Sequence, residues 1–222
     1  MVNTAISVSD LSKKYDDRLA VSHINFEVPL GTVCGFVGPN GSGKTTTMRM
    51  LLGLITPTTG HGHILGEPIE HPEKYLSRVG AMIEGPAFYP ALSGHENLMV
   101  LARLGGFPAE RVQTLLEKVG LGDRGKSKYK TYSLGMKQRL GIAAALLPEP
   151  KLLMLDEPTN GLDPEGIQEV RALEVAIDAR HQGAVRLSTR DRNISGGGTA
   201  LNRRTNRGAT ESRRRAVTGA ND

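Results

Sequence analysis

The chain has 222 residues, of which 38% are apolar, and this is enough to bury one hydrophobic core. A single cysteine, Cys34, excludes a disulfide framework and favours a reducing compartment. No apolar stretch approaches the length of a membrane-spanning helix, and the N-terminus lacks an apolar signal core, so we expect a soluble cytoplasmic protein.

The net charge of +5 is concentrated at one end of the chain. The segment from Arg190 onward holds eight arginines and three acidic residues, whereas residues 1–189 hold 20 basic and 20 acidic groups. A globular part without net charge predicts no nucleic-acid-binding surface. Residues 190–222 have only three large apolar side chains, so we expect them to form a disordered basic tail.

The order of the predicted elements indicates an α/β fold. The segments AISVSDL and HINFEV predict two strands, and TVCGFVG predicts a third strand that enters a glycine-rich loop. A helix follows in KTTTMRMLLGL, and HGHILG and SRVGAMIE predict further strands. After a helical stretch, KLLMLDEP predicts a buried strand, EGIQEVRALEVAIDAR a helix and GAVRLST a last strand. This alternation predicts a parallel sheet, and the helix-only middle, about residues 86–148, predicts an inserted lobe.

The segment GPNGSGKT fits the phosphate-loop pattern G-x-x-x-x-G-K-[ST] and lies between a predicted strand and a predicted helix. Its glycines let backbone N–H groups close around phosphates at a positively polarised helix N-terminus. Lys44 would reach the β- and γ-phosphates, and Thr45 would bind Mg²⁺. The predicted nucleotide-binding residues are Gly38, Pro39, Asn40, Gly41, Ser42, Gly43, Lys44, Thr45 and Thr46. The motif alone does not separate kinases, GTPases and transporters.

Two acidic residues, Asp156 and Glu157, come at the end of the predicted buried strand in KLLMLDEP and indicate hydrolytic chemistry. Asp156 ends the strand, which predicts a carboxylate at the carboxyl edge of the sheet beside the phosphate loop, where it can hold Mg²⁺. Glu157 is the candidate general base for a water that attacks the γ-phosphate. A turn with two solvated acids is the alternative interpretation, and the preceding phosphate loop argues against it.

The stretch YSLGMKQRL begins a helix in an unusual way. Ser133 precedes an apolar run of helical period, as an N-cap does. Gly135 is unexpected, because glycine in a first turn weakens a helix. Capping explains the serine and leaves the glycine unexplained.

The phosphate loop, the Ser-x-Gly helix start and the strand that ends in Asp-Glu, in this order, resemble the ATP-binding cassette (ABC) ATPases. The family signature LSGGQ matches residues 132–136 at its serine and second glycine. The resemblance, over about residues 3–189, implies a P-loop NTPase with a RecA-like parallel sheet core. It further implies an N-terminal antiparallel β subdomain and an inserted helical subdomain, so that residues 1–189 form the cassette. The implied cofactor is Mg²⁺ with ATP.

The resemblance also implies a composite site in a homodimer or a pair of cassettes. Ser133 and Gly135 would contact the γ-phosphate of ATP held by the other subunit, and a side chain at position 135 would block that approach. Asp163, in NGLDP, would contact the opposite subunit. Tyr15 lies where the family has an aromatic residue that stacks on adenine; an ordinary surface or core tyrosine is the alternative.

The segment IEGPAFYP resembles the family segment whose glutamine contacts Mg²⁺ and the transport domain, with Glu84 at that position. A carboxylate can also contact Mg²⁺, so Glu84 is included among the candidate metal ligands with Thr45 and Asp156. At Glu84, YSLGM and DPEGIQEVR, the sequence resembles the bacitracin- and lantibiotic-resistance exporters. This implies an ATPase subunit on the inner face of the membrane, bound to a separate permease that exports a peptide antibiotic or hydrophobic drug.

One departure from the family concerns the end of the cassette. The family has a histidine, in contact with the γ-phosphate and the attacking water, just after the strand that matches GAVRLST, and this chain has Arg190 there. The resemblance stops at the same point, which suggests a frameshifted or truncated end, with a genuine disordered appendage as the alternative.

Two other functions stay open: a soluble ABC ATPase that acts on ribosomes or DNA, and a degenerate cassette that binds ATP with little hydrolysis. The absence of sustained heptads between residues 46 and 131 favours transport over the first.

Overall fold

Two β-sheets organise the described part of the chain, which in the computed structural model comprises residues 4–85, 87–160, 162–168, 170, 185–190 and 199–200. The antiparallel sheet contains β1 (Thr4–Tyr15), β2 (Arg18–Pro29), β4 (Thr59–Ile64) and β5 (Glu67–Pro68) in the order β2-β1-β4-β5. The parallel sheet contains β3 (Val33–Val37), β6 (Val79–Met82), β7 (Leu152–Leu155), β8 (Val185–Arg190) and β9 (Thr199–Ala200) in the order β6-β7-β8-β3-β9.

The parallel sheet brings two distant loops to one edge. All four residues of β7 are buried, as expected for a strand covered on both faces. β8 lies between β7 and β3 in the sheet, and all three strands run in the same direction. The residues that follow β3 and β7 therefore leave the sheet at its carboxyl edge, where ligands of open α/β sheets bind.

Helix α1 (Lys44–Leu51) follows β3, and three helices lie between β6 and β7: α2 (Gly94–Gly105), α3 (Glu110–Lys118) and α4 (Leu134–Ala145). The three helices share one hydrophobic cluster with buried residues of β6 and β7. The end of α4 lies so close to β6 that a Cβ on Gly80 would come within 2.0 Å of the Ala145 carbonyl oxygen. Glycine at position 80 therefore allows α4 to pack directly on the sheet.

The structure confirms the predicted α/β class, the antiparallel N-terminal strands and the parallel sheet. α1 ends at Leu51, before the predicted Leu54, because Gly53 adopts a left-handed conformation with φ of 67°. Residues 164–168 are helical, whereas most of the helix predicted over residues 165–180 lies outside the described residues. The division into a cassette over residues 1–189 and an inserted lobe stays a prediction.

Two parts of the predicted basic tail form strands. Arg190 is the last residue of β8, and Thr199–Ala200 form β9, which pairs in parallel with Cys34 and Gly35 of β3. These residues differ from the disorder predicted for residues 190–222, because backbone pairing with a neighbouring strand needs no apolar side chain. The remainder of the tail lies outside the described residues. Within the described ranges, no helix combines the length and apolar character needed to span a bilayer.

The N-terminus of α2 is closed by a reciprocal capping box. Ser93 Oγ accepts a hydrogen bond from the Glu96 backbone N–H at 3.1 Å, and Glu96 Oε2 accepts one from the Ser93 backbone N–H at 2.7 Å. The second bond lowers the pKa of the Glu96 carboxyl, because it favours the ionised form. The contribution of Glu96 to stability is therefore present above the ordinary pKa of glutamate and is lost as pH falls through the lowered pKa.

We expect Ser93→Ala to lower the free energy of unfolding by about 0.5–2 kcal/mol, because it removes the cap of α2. Urea denaturation followed by circular dichroism measures this change, with the exposed Ser77→Ala as the matched control. Equal midpoints for the two variants would show that the capping box does not stabilise the fold.

Candidate nucleotide-binding site

A cavity of about 880 Å³ opens at the carboxyl edge of the parallel sheet. Ten residues predicted for the site line it, namely Tyr15, Asn40, Gly41, Gly43, Lys44, Thr45, Thr46, Glu84, Asp156 and Glu157. Of the other predicted loop residues, Gly38 and Pro39 support the cavity through their backbone, and Ser42 makes a turn bond from its N–H to the Pro39 carbonyl at 3.1 Å. The structure thus brings together segments from both sheets, the phosphate loop and the two acids after β7.

The phosphate loop has a backbone that only glycine accommodates at Gly43. Its φ is 89°, and a Cβ there would lie 2.6 Å from the Ala20 carbonyl oxygen of β2. Gly43 is the N-cap of α1, so no side chain caps this helix, and the first turn of α1 has no acidic residue. The first N–H groups of the helix and its positive dipole end are therefore suited to an anion such as a phosphate.

Lys44 places a buried ammonium group inside the loop. Its Nζ donates to the carbonyl oxygens of Gly38 at 2.8 Å and Pro39 at 3.2 Å, and lies 3.4 Å from Glu157 Oε1. The side chain is only 7% exposed, so little water screens its charge. The loop therefore surrounds a cation that can contact phosphate oxygens.

Thr45 and Asp156 join the phosphate loop to the end of β7. Thr45 Oγ1 donates to Asp156 Oδ2 at 2.6 Å, and the Asp156 backbone N–H donates to the Met82 carbonyl oxygen at 2.8 Å. A hydroxyl and a carboxylate are the hard oxygen ligands that Mg²⁺ prefers beside substrate phosphates. Among the described residues, no group of three or more His, Cys, Asp or Glu is arranged to hold a metal. The pair therefore fits Mg²⁺ that takes its remaining ligands from phosphates and water.

Glu157 is held in an uncommon conformation. Its φ is 45°, in the left-handed region that non-glycine residues seldom occupy, as is frequent at functional sites. Asn160 Nδ2 donates to Glu157 Oε2 at 3.1 Å, while Oε1 faces Lys44. The sequence analysis missed this contact of Asn160. The available signal was its position three residues after Glu157, within reach of a side-chain contact across a turn.

Glu84 lies at the rim of the same cavity, but its carboxylate is paired. It also has a left-handed backbone, with φ of 65°, and its Oε1 forms an ion pair with Arg49 Nη2 of α1. Arg49 is one helical turn after Thr45, a position that the sequence analysis did not single out. The Mg²⁺ contact of Glu84 stays a prediction, and any such contact must compete with Arg49.

Tyr15 ends β1 at the tight turn to β2 and lines the mouth of the cavity. The residue is 43% exposed, and the ammonium group of Lys13 lies 5.0 Å from the ring centroid. An exposed aromatic face beside the phosphate loop is compatible with stacking on a nucleotide base. Stacking on adenine stays a prediction.

Ser133, Gly135 and Asp163 line a second cavity, of about 500 Å³, rather than the first. Ser133 is the N-cap of α4, and its Oγ accepts from the Met136 backbone N–H at 3.2 Å, as predicted. Asp163 Oδ1 accepts from the Gly166 backbone N–H at 3.0 Å. A Cβ on Gly135 would meet no atom closer than Leu162 Cδ2 at 3.9 Å, so packing among the described residues does not require glycine there.

Comparison with known proteins agrees with this geometry. The family model described as ABC transporter matches residues 21–160. The bacitracin transport ATP-binding protein BcrA of Bacillus licheniformis is 49% identical over 174 residues, which are 78% of this chain and 57% of that protein. The lantibiotic transport ATP-binding protein SrtF of Streptococcus pyogenes is 45% identical over 168 residues, which are 76% of this chain and 72% of that protein. The chain thus spans little more than half the length of BcrA.

Solved structures give the same result. The structure of cbiO1 from Clostridium perfringens, part of the ABC transporter complex cbiONQ, superposes with a TM-score of 0.76 at 28% identity, over 85% of this chain and 79% of that chain. The ATP-binding subunit of another ABC transporter superposes with a TM-score of 0.71 at 32% identity, over 84% of this chain and 79% of that chain. The chain belongs to the ABC transporter family and has the α/β fold of its ATP-binding subunits.

Proposed function

We propose that the chain is the ATP-binding and ATP-hydrolysing subunit of an ABC exporter. The observation that carries the proposal is the 2.6 Å hydrogen bond from Thr45 to Asp156, formed beside the buried Lys44 at an uncapped helix N-terminus. A phosphate-binding loop joined to a carboxylate at the end of a parallel strand is the arrangement with which P-loop NTPases hold Mg²⁺ and the phosphates of a nucleoside triphosphate. The proposal assigns the 880 Å³ cavity to ATP.

Each side chain of the cavity then has a role in ATP binding. The N–H groups of the loop and Lys44 contact the phosphates, Tyr15 stacks on adenine, and Thr45 and Asp156 hold Mg²⁺. Bound there, Mg²⁺ would neutralise charge on the phosphates. Phosphate oxygens compete with Glu157 for Lys44, which now lies 3.4 Å from Glu157 Oε1. Release from Lys44 leaves the Glu157 carboxylate able to accept a proton from the attacking water, while Asn160 orients its other oxygen.

We expect Lys44→Ala to weaken binding of Mg·ATP about 10- to 100-fold, since hydrogen bonds to charged groups contribute about 1.5–3 kcal/mol. Isothermal titration calorimetry with the purified chain measures this loss. Lys74→Ala, which removes an exposed lysine that does not line the cavity, is the matched control. Equal affinities for Lys44→Ala and the control would remove the assignment of the cavity to ATP.

The second cavity supports a composite site between two cassettes. Ser133 and the N-terminus of α4 present an exposed, positively polarised helix end, and Gly135 beside them is not explained by packing. A phosphate that approaches this helix end would need the space that a side chain at position 135 would fill. We therefore assign Ser133, Gly135 and Asp163 to the ATP of a second subunit, in a homodimer or with a paired cassette.

We expect ATP to drive dimerisation of Glu157→Gln, which keeps the shape of the site and removes the base. Adding Ser133→Arg or Gly135→Glu should abolish the dimer. Gly135→Glu is informative because a carboxylate in the first turn stabilises a helix and repels a phosphate. Analytical ultracentrifugation with saturating ATP measures the result, and Ser77→Arg is the control. A dimer that persists in both variants would contradict the composite site.

The similarity to BcrA and SrtF supports the transport role. Because these relatives are named for transport of bacitracin and a lantibiotic, we propose export of a peptide antibiotic or a hydrophobic drug. The cassette would act at the inner face of the membrane, bound to a separate permease that selects the substrate. The absence of net charge in residues 1–189 favours this function over action on ribosomes or DNA.

A cassette with little hydrolysis is the second candidate function, and the position of Arg190 favours it. Arg190 ends β8 opposite Val37 of β3, so its backbone lies at the carboxyl edge that also carries the phosphate loop. The family histidine, which orients the attacking water, would occupy this position. Arginine cannot accept a hydrogen bond, so it cannot replace that function of imidazole.

If this second candidate is right, we expect the chain to bind ATP but to hydrolyse it about 10²- to 10⁴-fold more slowly than a cassette with the histidine, since a positioned acid–base group typically contributes that factor. Arg190→His should raise the rate of phosphate release, whereas Arg186→His, in the same strand but away from its carboxyl end, should not. Rapid turnover by the unmodified chain, abolished by Glu157→Gln, would show that position 190 is not limiting.

A further inference from the structure

Gln138 of α4 is a buried polar side chain that the roles above leave unused. The residue is 7% exposed and lines the 880 Å³ cavity, yet the sequence analysis did not single it out. Its Oε1 accepts no hydrogen bond from any residue that the structure describes. Buried polar atoms almost always have partners, so this amide is expected to rotate toward a hydrogen-bond donor once a ligand fills the cavity.

The position of Gln138 limits what that partner can be. α4 packs against β6, and the chain leaves β6 toward Glu84; β7, beside β6, leads to Asp156. Gln138 therefore lines the cavity on the side of the candidate metal ligands. Tyr15, at the proposed adenine end, enters from the antiparallel sheet.

The chemistry of that side calls for a hydrogen-bond donor. Glu84, Asp156 and Glu157 offer acceptors, and the nearby cations Lys44 and Arg49 contact carboxylates or carbonyl oxygens. The phosphates of ATP are also acceptors. Water molecules bound to Mg²⁺ are strong donors, and Mg²⁺ beside phosphates keeps several of them.

We propose that the Gln138 amide turns toward the cavity when Mg·ATP binds, accepts a hydrogen bond from a water molecule bound to the Mg²⁺ and thereby positions the metal's hydration shell. This inference rests on the proposed function, because it requires the cavity to bind ATP. Gln138 is then a positioning residue, which acts through the metal-bound water and not on the phosphates. Outer-shell partners of this kind typically change metal affinity 10- to 100-fold.

The test separates metal binding from nucleotide binding. Gln138→Met keeps the length of the side chain and removes the acceptor, Gln138→Glu keeps an acceptor oxygen, and Gln113→Met replaces an exposed helical glutamine as the control. Each is made in the Glu157→Gln background, which stops turnover. Electron paramagnetic resonance titrates Mn²⁺, in place of Mg²⁺, into protein saturated with ATP, and calorimetry measures ATP affinity in EDTA.

We expect Gln138→Met to weaken Mn²⁺ binding 10- to 100-fold, with ATP affinity in EDTA within about twofold of the parent. Gln138→Glu and Gln113→Met should retain Mn²⁺ affinity. Without ATP, Gln138→Met should unfold at the same temperature as the parent or a higher one, because it removes an unsatisfied buried acceptor. A solely structural glutamine would instead lower the unfolding temperature and leave Mn²⁺ affinity unchanged.

The remaining outcomes distinguish the inference from the function beneath it. Equal Mn²⁺ affinity for Gln138→Met and the parent, with ATP still bound, would overturn the role of Gln138 alone. A loss of ATP affinity in EDTA as large as the loss with metal would also overturn it, since the amide would then act on the nucleotide. Failure of the Glu157→Gln parent to bind ATP at all would overturn the proposed function and this inference with it.

Discussion

The hydrogen bond from Thr45 to Asp156 is the constraint on which the candidate site depends. It joins two residues 111 positions apart, one at the start of α1 and the other just after β7. The bond can form only because β7, β8 and β3 run in parallel and end at one edge of the sheet. Burial of β7 on both faces fixes the position of Asp156 at the carboxyl edge of the sheet. The left-handed backbone of Gly43 fixes the position of Thr45 at that edge. Sheet register thus determines the distance between the proposed metal ligands.

Helix α4 contributes residues to both cavities. Its N-terminal end, with Ser133, lines the second cavity, and Gln138 lines the first. Five residues span about 7.5 Å along a helix, so one rigid element lies between the two cavities. The close contact of Gly80 with the end of α4 fixes this helix on β6. A shift of α4 on the sheet would therefore move both cavities together.

The sequence predicted those features that depend on neighbouring residues. The phosphate loop, the N-cap at Ser133 and the position of Asp156 after a buried strand follow from local pattern, and the structure has them there. The sequence analysis missed the ion pair between Arg49 and Glu84 and the position of Gln138 at the cavity. These depend on how elements far apart in sequence pack, which no periodicity encodes. The roles of the predicted site residues in binding ATP stay predictions for a different reason, because a binding role can be observed only with the ligand.

Two ion pairs of the site indicate how a phosphate bound at the loop would affect the residues at the rim of the cavity. Lys44 faces Glu157, and Arg49, on the same helix, faces Glu84, so each cation of α1 is matched with an acid from another loop. A phosphate that contacts Lys44 weakens its attraction to Glu157, because the buried ammonium group has room for few partners. The Arg49 pair is more exposed and better screened, so it tolerates movement of Glu84 at lower cost. The buried pair is therefore suited to respond to the nucleotide, and the exposed pair to respond to a partner at the surface.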